Sequence, residues 1–258
     1  MKVITTLSPR DYDAVLFDLD GVLTRSASVH ASAWKKLFDG FLERHATQTG
    51  EPFVPFDIES DYPRYVDGKP RYDGVAAFLE SRGIELPMGS PDDGPDVQSV
   101  RALGNLKDRY FLKHLEQDGI EPYEAAIALV RKLRAEEIKT AVVSSSNNCA
   151  AVLEAAGIAQ LFDARVDGKD VTRLELKGKP APDAFLEAAR RVGVEPSRAV
   201  VVEDAIVGVE AGRAGRFGCV IGVDRRGHAK ALHDGGSDVV VTDLGQVGVA
   251  VEPPSAWS

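Results

Sequence analysis

Short apolar runs recur along the chain: "AVLF" at 14–17, "TAVVS" at 140–144, "AVVVE" at 199–203, "GCVIGV" at 218–223 and "DVVVTD" at 238–243. Continuous and β-branched, they predict strands buried on both faces of a parallel sheet. Between the later runs the apolar spacing turns helical. "EAAIALVRKLRAEE" (124–137) is amphipathic, and "NNCAAVLEAAGI" (147–158) reaches Gly157, a suitable end. "PDAFLEAARRVGV" (182–194) opens on Pro182 and Asp183 and closes near Gly193, while "DAIVGVEAGRAG" (204–215) opens on an acid able to cap a helix. Strands alternating with helices predict an α/β fold, a doubly wound, Rossmann-like parallel sheet.

The first run breaks this rhythm, because the next strand does not come until residue 140. No ordinary connection is that long. The interval is helical in pattern: "HASAWKKLFDGFLERHA" (30–46), "DGVAAFLESRG" (73–83) and "SVRALGNLKDRYFLKHLEQDG" (99–119). It predicts an inserted α-helical cap domain over 25–120, with the α/β core formed by 1–24 and 121–258. "ELPMGSPDDGPDVQS" (85–99) is an expected exposed loop, and "VEPPSAWS" an expected loose tail. Ligands of open α/β sheets bind beyond the carboxyl ends of the strands. An insertion after the first strand would roof that crevice.

Composition narrows the partners. The chain has 258 residues, 44% of them hydrophobic, and a formal net charge of −9. A basic footprint for nucleic acid or an anionic membrane is absent. Cys149 and Cys219 are the only cysteines and form no C-x-x-C pair, so two buried thiols are expected. No stretch reaches the roughly 18 apolar residues of a membrane span, and the first residues lack a signal-like apolar core. A cytoplasmic, soluble protein is the expectation.

The chemistry gathers at the predicted strand ends. Asp18 and Asp20 close the first strand and would face the same way if it continued. Two like charges held together call for a cation or a shared proton. Ser144 opens "SSSNN" (144–148), Glu203 and Asp204 end another strand, and "LKGKPAPD" (176–183) places Lys177 or Lys179 on the same side. A plainer reading stands beside each: an Asp-Gly turn, an N-cap, a rigid turn, a capping acid. Together they assemble a site. Oxygen ligands without a Cys/His set favour Mg²⁺ over zinc. One carboxylate can attack phosphorus, a second can carry the proton, and a lysine and hydroxyls can hold the transferring oxygens.

"DLDGVLT", the serine after "AVVS", "GKPAPD" and "VVEDA" resemble, in order and spacing, the four motifs of the haloacid-dehalogenase-like phosphotransferases. The resemblance implies Asp18 as nucleophile and Asp20 as acid/base. It implies Ser144, Ser145 and Lys179 as phosphate ligands, and Asp18, Asp204, Glu203 and the Asp20 backbone carbonyl at Mg²⁺. The insertion is similar to that of the β-phosphoglucomutase subfamily. There the match is His30 with Trp34 in "SVHASAWKKLF", Arg71 in "DGKPRYDG" and, more loosely, Lys107 in "GNLKDRY". It implies a catalytic His30, and substrate binding by Arg71, Lys107, Ser146 and Asn148. Two departures stand out. Arg25-Ser26 replaces the usual Asp-Thr or Asp-Ser, with Arg25 expected to be exposed, and Asn147 replaces a frequent lysine.

Three functions are compatible with this reading. The first is a mutase interconverting β-glucose 1-phosphate and glucose 6-phosphate through an aspartyl-phosphate and a bisphosphate. The second is a Mg²⁺-dependent phosphatase of small sugar or metabolite phosphates. The third, a receiver-like switch, has no use for a helical insertion. The expected partner is a small phosphosugar, and the expected state a monomer or weak dimer.

Overall fold

The computed structural model describes residues 3–251. The expected tail lies outside them from residue 252 onward. Contacts divide the chain into two units, one of residues 1–25 and 120–258, the other of residues 26–119.

The first unit is built on six parallel strands: β2 (Ala14–Asp18), β3 (Lys139–Val143), β4 (Ala164–Val166), β5 (Ala199–Glu203), β6 (Cys219–Val223) and β7 (Val239–Val241). Their order is β4-β3-β2-β5-β6-β7, and β1 (Thr5–Leu7) pairs separately with β8 (Val247–Val249), also in parallel. β2, β5 and β6 are buried along their whole length, as two-sided coverage requires. Helices follow the strands: α4 (Glu124–Ala135) leads into β3, and α5 (Cys149–Ala155), α6 (Gly168–Arg173), α7 (Asp183–Val192), α8 (Ile206–Ala214) and α9 (Ala229–Asp234) come after it. On one face Ala14, Leu16, Ala141, Val143, Ala199 and Val201 pack against Phe185, Ala188, Ala189 and Val209 of α7 and α8.

The strand order fixes the site. From β2 the chain winds outward to β3 and β4, then returns to β5 on the other side, so the crevice opens at the carboxyl ends of β2 and β5. Asp18 is paired with Val143, and Phe17 with Val202, which brings Asp18 and Glu203 to one level with Ser144 one residue beyond.

Local details depart from the sequence expectations in three places. β2 stops at Asp18; the chain then turns, and Asp20 bridges to Thr24 instead of extending the strand. Asp204 does not cap α8, whose N-cap is Ala205 with no side-chain bond. "SSSNN" does not cap α5 by side chain either, although Asn148 occupies the position.

The second unit consists of α1 (Ser26–Thr49), α2 (Arg71–Ser81) and α3 (Val100–Asp118), with a short π-helical turn over Tyr62–Val66. Its core is aromatic. Phe38 lies against Trp34, Phe56 and Phe78 at centroid distances of 5.3, 5.1 and 4.1 Å. Truncating such a phenyl to Ala costs about 3–5 kcal/mol. Residues 87–92 and 95–98 of the expected loop are exposed. Ser99 then starts α3 by accepting the Ala102 amide at 3.0 Å.

Candidate active site

Asp18, Lys179 and Glu203 form a buried ionic triad at the strand ends. The Lys179 ammonium donates to Asp18 Oδ1 and to Glu203 Oε1, each at 2.5 Å. Glu203 Oε2 accepts the amides of Asp204 and Ala205, both at 2.9 Å. That carboxylate therefore anchors both the lysine and the turn leading to α8. Gly208 leaves the space it needs: a Cβ there would lie 1.8 Å from Glu203 Oε1. Lys177, the other candidate lysine, is exposed.

Burial pushes the Asp18 carboxyl well above the usual range. The Lys179 ammonium pulls it back, and the Glu203 and Asp20 charges add to the rise. Burial also disfavours charge on Lys179, but Asp18 and Glu203 together outweigh it and hold the ammonium protonated. Charge at this site is thus set by its neighbours.

The carboxylates of Asp18, Glu203 and Asp204 offer oxygen atoms within 4.8 Å of one another. Hard oxygen donors without thiol or imidazole fit a small divalent cation. By side chain the set is these three, without the Asp20 carboxylate. Gly21 lets the loop come close: its φ is +87°, and a Cβ would sit 1.9 Å from Asp204 Oδ2.

The serine loop is pre-shaped by its own hydroxyls. Ser144 Oγ accepts the Ser146 amide, and Ser146 Oγ the Asn148 amide, both at 3.1 Å. Gly168 at the start of α6 buttresses it, donating its amide to the Ser146 carbonyl at 3.1 Å. Ser145 lies in the same loop. The thiols of Cys149 and Cys219 are buried, and burial raises both. Neither is suited to nucleophilic work at neutral pH.

Within the second unit, His30 and Lys107 are partners. Lys107 Nζ stands 2.5 Å from His30 Nδ1, and both side chains are buried. His30 stacks on Phe111 at 4.0 Å, and Lys107 lies 5.2 Å from the Trp34 ring centroid. Arg71 begins α2 as an ion pair with Asp108 at 2.8 Å and also donates to the Tyr72 hydroxyl at 3.2 Å.

The sequence reading missed Asp108 and Gly208.

An open parallel sheet whose switch point carries buried carboxylates, a buried lysine and a hydroxyl loop has the make-up of an α/β phosphotransferase. The haloacid dehalogenase-like hydrolases match residues 12–216. The chain belongs to that family, in its β-phosphoglucomutase branch. It is 48% identical over 242 residues to the β-phosphoglucomutases of Mycobacterium bovis and Mycobacterium tuberculosis, covering 93% of this chain and 92% of theirs. A validoxylamine A 7'-phosphate phosphatase of Streptomyces hygroscopicus subsp. limoneus is 30% identical over 92% of this chain and 96% of its own. Among solved structures, a β-phosphoglucomutase from Clostridium difficile has a similar fold. Its TM-score is 0.72 at 24% identity, covering 91% of this chain and 92% of that one. No helix among the described residues is long and apolar enough to cross a membrane.

Proposed function

We propose that the protein is a phosphosugar mutase interconverting β-glucose 1-phosphate and glucose 6-phosphate. The observation that carries this reading is the extent of the mycobacterial similarity. At 93% of this chain it includes the inserted unit as well as the core. Core motifs alone serve phosphatases equally.

In this reading an Asp18 carboxylate oxygen attacks the phosphorus of a bound phosphate. The bond from phosphorus to the sugar oxygen breaks, and Asp20 gives that oxygen its proton. When that phosphate is the 1-phosphate of glucose 1,6-bisphosphate, the sugar leaves as glucose 6-phosphate. The aspartyl-phosphate then meets the 6-hydroxyl of an incoming β-glucose 1-phosphate, whose proton passes to Asp20 as its oxygen attacks phosphorus. Asp18 is freed, and a bisphosphate links the two half-reactions. Ser144, Ser145 and Lys179 hold the transferring oxygens. Arg71, Lys107, Ser146 and Asn148 take the other phosphate and the sugar, and His30 joins the proton chemistry. Mg²⁺, held by Asp18, Asp204, the Asp20 carbonyl and, through its placement, Glu203, would offset the repulsion between carboxylate and phosphate.

A phosphatase is the second reading, favoured by the Streptomyces relative. Product analysis separates the two. Purified protein is given Mg²⁺, β-glucose 1-phosphate and a catalytic amount of glucose 1,6-bisphosphate, and glucose 6-phosphate and free phosphate are followed together. Glucose 6-phosphate well ahead of phosphate is the expected result, and none from an Asp18→Asn control. Phosphate alone points to the phosphatase, and normal turnover by Asp18→Asn sinks the mechanism.

A further inference from the structure

Arg225 follows β6 at the carboxyl end of the sheet, in a segment to which no role has been given. Its side chain is 16% exposed. Nε donates to the Gly21 carbonyl at 2.8 Å, and Nη1 to the Thr242 carbonyl at 3.3 Å. The guanidinium lies over the Tyr123 ring, 3.8 Å from its centroid. Arg25 covers the same ring at 4.5 Å. A largely desolvated guanidinium is costly unless its donors are used. Here Nε and Nη1 go to two backbone carbonyls, with Asp243 Oδ2 4.0 Å from Nη1, and the planar face lies on an aromatic ring, while the buried Nη2 makes no hydrogen bond among the described residues.

Those contacts meet at the loop after the nucleophile. Gly21 adjoins Asp20, and its Cα leaves no room for a methyl beside Asp204. Its amide donates to the Thr24 carbonyl at 2.9 Å, closing the turn. The chain then runs beside the segment holding Tyr123: Arg25 donates its amide to the Glu121 carbonyl at 2.9 Å, and Tyr123 its own to the Leu23 carbonyl at 2.8 Å. One cation thus grips the loop directly at Gly21 and indirectly through Tyr123.

We propose that Arg225 is a positioning residue for phosphoryl transfer. It clamps the Gly21 carbonyl and the Tyr123 ring so that Asp20 and Asp204 keep their places. The inference rests on the reading of those two acids as proton carrier and metal ligand. A lysine cannot replace it, because an ammonium lacks the planar face and the fork that serve ring and carbonyls at once.

Hydrogen exchange on the full chain without metal tests the clamp. In Arg225→Met the segment 19–25 should exchange at least about tenfold faster, with the sheet segments 139–143 and 199–203 unchanged. Arg225→Lys and Tyr123→Leu should follow it, whereas Tyr123→Phe, which keeps the ring, should exchange as wild type. The double variant Arg225→Met/Tyr123→Leu should be no worse than Arg225→Met alone, since both remove one coupled unit. In calorimetry Mg²⁺ should bind about 3–10-fold more weakly to Arg225→Met, and kcat should fall about tenfold with KM within about twofold. Wild-type exchange in segment 19–25, or equal acceleration across the sheet, would overturn the proposal. The exchange comparison needs neither metal nor substrate, so it decides the clamp separately from the phosphoryl-transfer reading.

Discussion

Lys179 stands between two carboxylates that burial would otherwise force apart or neutralise. Replacing it with Met removes the ammonium and leaves Asp18 and Glu203 facing each other, an uncompensated pair costing about 3–5 kcal/mol. The pH dependence has a definite sign. Burial already raises Asp18, and losing the lysine that lowers it raises it further. A carboxyl with a raised folded pKa is stabilising only below its unfolded value, and that contribution is lost as pH rises. Lys179→Met should therefore melt far below wild type at pH 7, with the gap narrowing as pH falls toward about 4, the unfolded carboxyl value, as protons replace the ammonium. Melting followed by circular dichroism across that range checks this; a gap that stays constant with pH would point to lost packing alone. At this scale the sequence was informative because chemistry and spacing coincided. "DLDG", "GKPAP" and "VVED" carry residue types that are costly to bury unless used. What spacing could not supply was partnership: that Glu203 is bound to Lys179 and to two backbone amides depends on a turn that only the folded strand end creates.

At the scale of elements, α7 shows how a surface network fastens a helix of the core. Glu187 accepts from Arg190 at 2.7 and 2.8 Å and from Arg191 at 2.8 Å, while Arg191 reaches Asp170 of α6 at 2.9 Å. Hydrogen bonds from Arg190, with Arg191 adding to them, hold the Glu187 carboxyl down to about 2, well below its ordinary value. A depressed carboxyl contributes stability above its unfolded value and loses it as pH falls through the folded one. Solvent screens most of this, leaving about 1 kcal/mol, or about 2–4 °C in melting temperature for a chain of this size. Glu187→Gln should melt lower by that amount at pH 7, and the difference should close as the pH falls from about 4.5 toward 2. The longer elements were legible because their patterns are long: the four five-residue strands carry continuous apolar runs and the main helices a clear period. The three-residue strands β1, β4, β7 and β8 are different. Of these only β7 lay within a recognised run, because three residues are too few for a period to emerge and pairing is supplied by the neighbour. α6 and α9, six residues each, were missed for the same reason.

For the whole molecule, the junctions of the insertion matter most. The sequence reading placed them at 24/25 and 120/121; contacts place them at 25/26 and 119/120, because Arg25 is bonded through its amide to Glu121. Thr24 and Pro122 form an antiparallel bridge beside it. Entry and exit of the insertion thus lie side by side within the first unit, as the two arms of a hairpin do. Every carboxylate of the acidic cluster, with Lys179 and the serine loop, also belongs to that unit. The sheet face packed on α7 and α8 is assembled from residues on either side of the insertion. Replacing residues 26–119 by a short Gly/Ser linker should therefore close the gap at small entropic cost and leave a core that unfolds cooperatively. Calorimetry should find Mg²⁺ binding retained, and hydrolysis of p-nitrophenyl phosphate should persist. On the proposed mutase reading, conversion of β-glucose 1-phosphate should fall at least about 100-fold, because the residues that reading assigns to the proton chemistry, the sugar and the second phosphate (His30, Arg71 and Lys107) are gone. A shortened chain that melts without cooperativity would show that the sheet needs the insertion to fold. One that still produced glucose 6-phosphate at the full rate would remove the second unit from the mutase reaction and leave specificity to the strand ends alone.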